Sequence, residues 1–181
     1  MDNQRFEKVK QFVTSAIAAA TGPLSEKQQT AVRDNLAKMA ASGMSISSGA
    51  IQETIRFRAE YSCELLQVRF DAFVEGAELN GLRMDHEVGA AILEDVELAR
   101  SYLVSNAENS LPGDLLSPQR RLLAPEVLDS LITERLESAT GNLMTKFRLQ
   151  IEREILKSQR AEGGKQPSVT NIYDLQGTTP V

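Results

Sequence analysis

The stretch Ile46–Leu79, ISSGAIQETIRFRAEYSCELLQVRFDAFVEGAEL, decides the fold because it reads as one helix of more than thirty residues without a proline. Two apolar stripes recur along it at helical spacing. The first consists of Ile51, Ile55, Ala59, Cys63, Leu66, Phe70, Phe73 and Ala77, and the second of Phe57, Tyr61, Leu65, Val68 and Ala72. A helix that is apolar on two separate faces has neighbours on both sides. The sequence therefore predicts an all-α protein with this helix at its centre.

A second stretch, Pro125–Glu162, also predicts a helix of more than thirty residues. Its apolar stripe is Leu128, Ile132, Leu136, Ala139, Leu143, Phe147, Ile151 and Ile155. Each of the two helices would be roughly 50 Å long, whereas a compact monomer of this length has a diameter of about 40 Å. We therefore expect an elongated bundle whose long helices form the seam of a homo-oligomer, most simply a dimer.

Three further helices complete a prediction of about five principal helices. The first covers Gln4–Ala20 and is stopped by Gly22-Pro23, since both residues disfavour a helix interior. Ser25 opens the next helix with a capping box, and Gly43 ends it. Asp85 caps the remaining helix, which a short connection makes antiparallel to the central one.

The chain is predicted to form one helical domain, residues 1–162, followed by a flexible polar tail, residues 163–181. Gly163-Gly164 and Pro167 separate the tail from the last helix. The longest internal break, residues 106–124, is rich in leucine, and Ser117 marks the start of a short helix within it. A loop of that composition is expected to pack against something.

Composition limits the class of protein. The net charge of -5 argues against general nucleic-acid binding, which needs many cations facing phosphates. A single cysteine fits a reducing compartment. The apolar run at residues 13–20 is too short to cross a membrane, and no signal peptide is recognisable. We therefore expect a cytoplasmic protein without a membrane partner.

One acidic arrangement could carry chemistry. Glu75 and Glu78 end the central helix, and Glu94 and Glu97 lie in the next one. Carboxylates three residues apart share a helix face, and two such pairs on antiparallel helices could hold one or two Mg²⁺ ions. The spacing resembles the ExxE…ExxD pattern of the all-α nucleotide pyrophosphohydrolases, the MazG and dimeric dUTPase group, with Glu97 where that family has Asp. The resemblance covers residues 75–97 and implies a Mg²⁺-dependent pyrophosphohydrolase with these four glutamates as metal ligands.

A solvated acidic face is the competing interpretation of the same residues. Glu134 and Glu137 show the same spacing without a partner pair, so the spacing also arises without a metal site. In addition, a hairpin that turns near Gly81 places the two glutamate pairs one to two helical turns out of register.

The tail offers a candidate partner-binding segment. Residues 169–175, VTNIYDL, are β-branched and aromatic, unlike the rest of the tail. Together with the C-terminal residue, they have the form of a peptide that adds a strand to a partner's sheet edge. The predicted contact residues are Val169, Ile172, Tyr173, Leu175 and Val181. The alternative is a terminus without fixed structure.

Taken together, these patterns predict a non-enzymatic cytoplasmic interaction or adaptor protein without a cofactor. It would self-associate through its long helices and present its C-terminal tail to a protein partner. The alternative function is the Mg²⁺-dependent pyrophosphohydrolase. A third interpretation is a small subunit associated with DNA or RNA through a local basic patch at Arg120-Arg121 or Lys157–Arg160.

Overall fold

The computed structural model describes residues 2–43, 48–106 and 125–163, and these residues form four helices and no strand. The helices are α1 (Asn3–Ala41), α2 (Ser48–Leu79), α3 (His86–Ser105) and α4 (Pro125–Gly163). The all-α prediction is confirmed. The predicted helix count is wrong, because the described residues form four helices instead of five, and three of them, of 39, 32 and 39 residues, exceed thirty residues.

The difference in helix count arises at Gly22-Pro23, where a helix end was predicted. Helix α1 continues through both residues, and Ser25 lies inside the helix as an acceptor for the Gln29 side chain (3.3 Å) instead of acting as a cap. A proline costs a helix interior roughly 3 kcal/mol. Gly22 and Pro23 lie on the exposed side of α1, and the helix packs along α2 both before and after them. Packing on both sides of the proline therefore offsets its cost.

The helix ends predicted at Gly43, near Gly81 and at Asp85 are confirmed, and each has a local cause. Gly43 and Gly81 adopt left-handed φ angles of 72° and 62° directly after α1 and α2. After α2, Leu82 N donates to Ala77 O (2.8 Å) and Gly81 N donates to Glu78 O (3.0 Å), which is the Schellman arrangement. At the start of α3, the Asp85 carboxylate accepts a hydrogen bond from Val88 N (2.9 Å).

Helix α2 is central, as predicted, because it packs against all three other helices. Helix α1 runs antiparallel to it, since Lys27 pairs with Glu64 at one end and Arg5 Nη1 donates to Gly81 O at the other. Helix α3 is also antiparallel to α2, and the Arg69–Asp95 ion pair joins them.

Helix α4 follows the direction of α2 and also packs against α3. The rings of Phe70 and Phe147 stack between α2 and α4 with centroids 4.1 Å apart. Between α3 and α4, the Arg100 Nε atom donates to Thr140 Oγ1 (3.0 Å). The four described helices therefore alternate in direction along the chain.

The described residues form two apolar core clusters. The larger cluster involves all four helices and centres on Phe70, Phe73 and Phe147, whereas the smaller one joins the first half of α2 to the first half of α4 through Ile55 and Leu136. Among the described residues, four polar side chains are also buried: Thr54, Arg58, Ser62 and Thr140. Thr54, Arg58 and Ser62 recur every four residues and lie between the two apolar stripes of α2.

No described helix has the length and apolar character required of a membrane span. The predicted short helix at Ser117 and the predicted flexible tail, residues 163–181, lie outside the described residues, apart from Gly163 at the end of α4.

Candidate functional site: an open groove between α1 and α3

Helices α1 and α3 both pack on α2, and a groove opens between them with α2 as its floor. Three cavities of about 540, 290 and 320 Å³ follow one another along this groove. They run from Asn3 to Gln28 on α1 and from Ala91 to Asn106 on α3. At 1.5 Å per residue, the α3 side is roughly 22 Å long. We call this feature the α1–α3 groove.

The middle of the α1–α3 groove is apolar. Its cavity is lined by Ile17 of α1, Leu65 and Leu66 of α2, and Ala99 and Leu103 of α3. Leu66 belongs to the main core and Ile17, Ala99 and Leu103 border it, so the floor of the groove is well packed. A concave, well-packed and apolar surface of this kind suits the apolar face of an amphipathic segment.

Two large apolar side chains stand exposed on the α3 rim of the groove. Leu98 and Tyr102 are each 67% exposed, and their spacing of four residues places them on one face of α3. Leu98 also lines the first cavity, and Tyr102 lines the second and third. Fully burying a side chain of Leu size is worth about 1.5–3 kcal/mol, so these two residues are the natural anchors for a bound segment.

Two ion pairs lie among the charged side chains that line the groove. Arg69 of α2 and Asp95 of α3 form a partly buried ion pair (2.5 Å) that joins the floor to the rim. On the α1 rim, Lys10 pairs with Glu7 (3.0 Å) and lies 5.3 Å from the centroid of the Phe6 ring. The Arg69–Asp95 pair holds α3 against α2, whereas the Lys10–Glu7 pair lies within α1. Both pairs leave polar groups at the edge of the groove.

A buried cation lies at the far end of the groove. Arg58 is only 3% exposed, yet it lines the third cavity with Ser25, Gln28, Tyr61 and Asn106. Its guanidinium carbon lies 5.2 Å from the centroid of the Tyr61 ring. Burial lowers the pKa of Arg58, and the nearby Tyr61 phenol partly opposes this. The third cavity is therefore a polar end of the groove, and Arg58 is the one charged residue among its described lining residues.

The four glutamates of the predicted metal site lie apart from this polar end. Glu75 and Glu78 are exposed near the end of α2, and Glu94 is exposed and lines the first cavity. Glu97 accepts a hydrogen bond from Arg100 (2.5 Å). Among the described residues, no group of three or more acidic, histidine or cysteine side chains is placed to hold a metal ion.

The register of the α2–α3 hairpin explains this separation. The Arg69–Asp95 pair fixes residues near 70 of α2 opposite residues near 94 of α3. Glu75 and Glu78 therefore lie one to two turns further along α2 than the position opposite Glu94.

The predicted partner-binding residues of the tail, Val169, Ile172, Tyr173, Leu175 and Val181, lie outside the described residues. Sequence reasoning missed the α1–α3 groove itself. The available signal was that Leu98 and Tyr102 fall off the core stripe of their helix, which consists of Val88, Ile92, Val96, Ala99 and Leu103.

The chain was compared with protein-family models, with curated proteins and with solved structures, and none of them matches it significantly.

Proposed function

We propose that this chain is a non-enzymatic cytoplasmic interaction protein that self-associates through its long helices and presents both the α1–α3 groove and its C-terminal tail to a protein partner. The observation that carries this proposal is the pair of exposed anchors, Leu98 and Tyr102, on the rim of an apolar groove.

The form of the groove favours an amphipathic helix as the bound segment. A groove of roughly 22 Å accommodates about four turns of helix. The apolar floor at Leu65 and Leu103 would receive the apolar face of such a helix, and the rim charges of Glu7, Lys10 and Glu94 would meet its polar edges. A partner with an acidic residue at one end of its apolar face would complement the cation at the third cavity.

The paired charges also favour binding over catalysis. General acid–base chemistry uses groups whose pKa values are shifted toward neutral pH and that face the substrate. In the groove, Arg69 is engaged by Asp95, and Lys10 is engaged by Glu7. Such ion pairs position helices and define a surface, which is what an adaptor requires.

A pull-down with a matched pair of variants tests the proposed groove. Leu98→Glu places a charge on the rim, and Leu79→Glu is the control, because Leu79 is equally exposed (67%) but lies at the end of α2 outside the groove. Both variants should keep the helical circular dichroism of the wild type. We expect a partner that the wild type retains to be lost with Leu98→Glu and kept with Leu79→Glu.

A third bait that lacks residues 165–181 tests the contribution of the tail in the same assay. Loss of the same partner would assign both surfaces to one complex. If every partner is retained equally by the wild type and by all three variants, neither the groove nor the tail is a binding surface, and the proposal fails.

A further inference from the structure

Helix α4 carries an apolar stripe on the side that faces away from the core. Among the side chains of this helix that the structure describes, four large apolar ones are exposed: Val127 (48%), Leu131 (42%), Leu149 (51%) and Leu156 (52%). Residues 131 and 149 are eighteen positions apart, which equals five turns of 3.6 residues, so the two side chains point in the same direction. Val127 is about one turn before this pair, and Leu156 is about two turns after it. We call these four residues the outer stripe of α4.

The outer stripe of α4 is symmetric about its own middle. Leu131 and Leu149 lie at equal distances from residue 140, and so do the exposed residues Ser138 and Asn142. Val127 and Leu156 are centred within two residues of the same point. Two copies of α4 that pack antiparallel would therefore bring Leu131 of each copy against Leu149 of the other, and Ser138 against Asn142.

The centre of the outer stripe allows two helices to come close together. Ser138 and Asn142 are small and exposed, and Gly141 has no atom within 4 Å of the position that a Cβ would occupy. Small side chains at the point of closest approach let the apolar residues on either side meet across the interface. The polar groups of Ser138 and Asn142 can also hydrogen-bond to each other there.

The two halves of α4 carry opposite charge. Residues 125–140 contain the four acids Glu126, Asp129, Glu134 and Glu137 and the single base Arg135. Residues 141–163 contain the five bases Lys146, Arg148, Arg153, Lys157 and Arg160 and the three acids Glu152, Glu154 and Glu162. An antiparallel pair places the acidic half of one copy beside the basic half of the other, whereas a parallel pair places like halves together. The antiparallel arrangement also opposes the two helix dipoles favourably.

We propose that the outer stripe of α4 binds a second copy of this chain in an antiparallel arrangement, with a twofold axis near Thr140 and Gly141. This inference rests on the self-association in the proposed function and names its surface. A twofold interface of this kind is closed, because each copy uses the same stripe, so it yields a dimer and leaves the α1–α3 groove of each copy free.

Disulfide cross-linking between single-cysteine variants tests the arrangement. In a Cys63→Ala background, Leu131→Cys and Leu149→Cys are prepared separately, one of them with a tag that changes its mass, and are then mixed and oxidised. In the mixture, we expect covalent dimers that contain one tagged and one untagged chain. When either variant is oxidised alone, we expect a much lower yield of covalent dimers. Gln150→Cys replaces Leu149→Cys as the matched control, because residue 150 is exposed but lies about 100° around the helix.

Light scattering of the wild-type protein separates failure of the inference from failure of the proposed self-association. A 20 kDa monomer at tens of micromolar would refute both. A dimer in which Leu131→Cys cross-links efficiently to itself would be parallel, and a dimer without any cross-link at these positions would use another surface. Each of these two results would refute the antiparallel interface but would leave the proposed self-association intact. As a second measurement, Leu149→Glu should abolish the dimer while the helical circular dichroism is kept, and a dimer that survives this change would also contradict the proposal.

Discussion

Gly89 of α3 packs directly against α4, and we predict that Gly89→Ala destabilises the protein although alanine favours helices. A Cβ at position 89 would lie 2.5 Å from Ile151 Cγ2 and 3.4 Å from Ile155 Cδ1. Real carbon contacts are found near 3.5–4.0 Å, so the gap is short by about 1 Å. The Cγ2 atom of Ile151 is attached directly to a branched Cβ, and one χ1 rotamer dominates for such residues in a helix. Ile151 cannot turn away cheaply, and the helices have to separate.

Two opposing effects set the size of this change. Gly→Ala in a helix interior gains about 1 kcal/mol from backbone propensity. Overpacking a well-packed core costs about 1–3 kcal/mol, and the upper part of this range applies because Ile151 is 3% exposed and has no free space. We therefore expect a net loss of about 1–2 kcal/mol in the free energy of unfolding. For a protein of this size, that corresponds to a melting temperature lowered by about 2–8 °C.

Gly22→Ala is the matched control for this prediction. Gly22 lies in the interior of α1, is exposed, and has nothing within 4 Å of the position that an added Cβ would occupy. The propensity gain of about 1 kcal/mol is opposed here by Pro23, whose ring disfavours the helical conformation of a preceding residue that carries a Cβ. We therefore expect Gly22→Ala to change the free energy of unfolding by less than about 1 kcal/mol. Urea unfolding followed by circular dichroism at the helical minimum measures both variants. If Gly89→Ala proves as stable as Gly22→Ala, then α3 and α4 do not approach each other as described.

Three further predictions address the core, the alternative function and the tail. Leu66→Asp should unfold the protein or make it insoluble, because Leu66 is 1% exposed and an unpaired buried carboxylate costs several kcal/mol; a soluble variant with unchanged circular dichroism would contradict this. We expect Mg²⁺ to leave the melting temperature unchanged, and we expect the protein not to hydrolyse nucleoside triphosphates. If it instead releases pyrophosphate in a Mg²⁺-dependent reaction, and Glu94→Gln abolishes this activity, the pyrophosphohydrolase function would be established. Removal of residues 165–181 should leave the melting temperature unchanged, and a fall of several degrees would mean that the tail packs on the bundle or on a second copy.

Much of the architecture could be predicted because it depends on local signals. The two apolar stripes of α2 predicted its central place, since helical periodicity alone determines which faces are buried. Gly81 and Asp85 predicted the ends of the hairpin because their chemistry acts within a few residues. The hairpin register, which the ion pair of Arg69 with Asp95 fixes, follows from the length of that short connection.

The α1–α3 groove could not be predicted in the same way, because it depends on how far apart two helices lie. Leu98 and Tyr102 lie off the core stripe of α3, which is consistent with their exposure, but no local pattern in either helix encodes the distance between α1 and α3 that opens the groove. The same holds for Arg58, which lies between two apolar stripes of α2. Its spacing from Thr54 and Ser62 places it in a row of polar residues between those stripes, but its burial depends on how the neighbouring helices pack around α2.

The continuity of α1 through Pro23 determines the length of the α1–α3 groove. Because α1 passes unbroken through Pro23, the residues on either side of it belong to one rod that runs along α2. Lys10 in the first half and Gln28 in the second half therefore line the same groove, whereas a break after residue 22 would have allowed the second half to take a different direction. The packing of both halves on α2 thus offsets the cost of the proline and also extends the α1–α3 groove to its full length. Replacing residues 20–24 with glycine would weaken α1 more strongly than Pro23 does. If that variant still folds but no longer binds its partner, the groove requires a continuous α1 and the core does not.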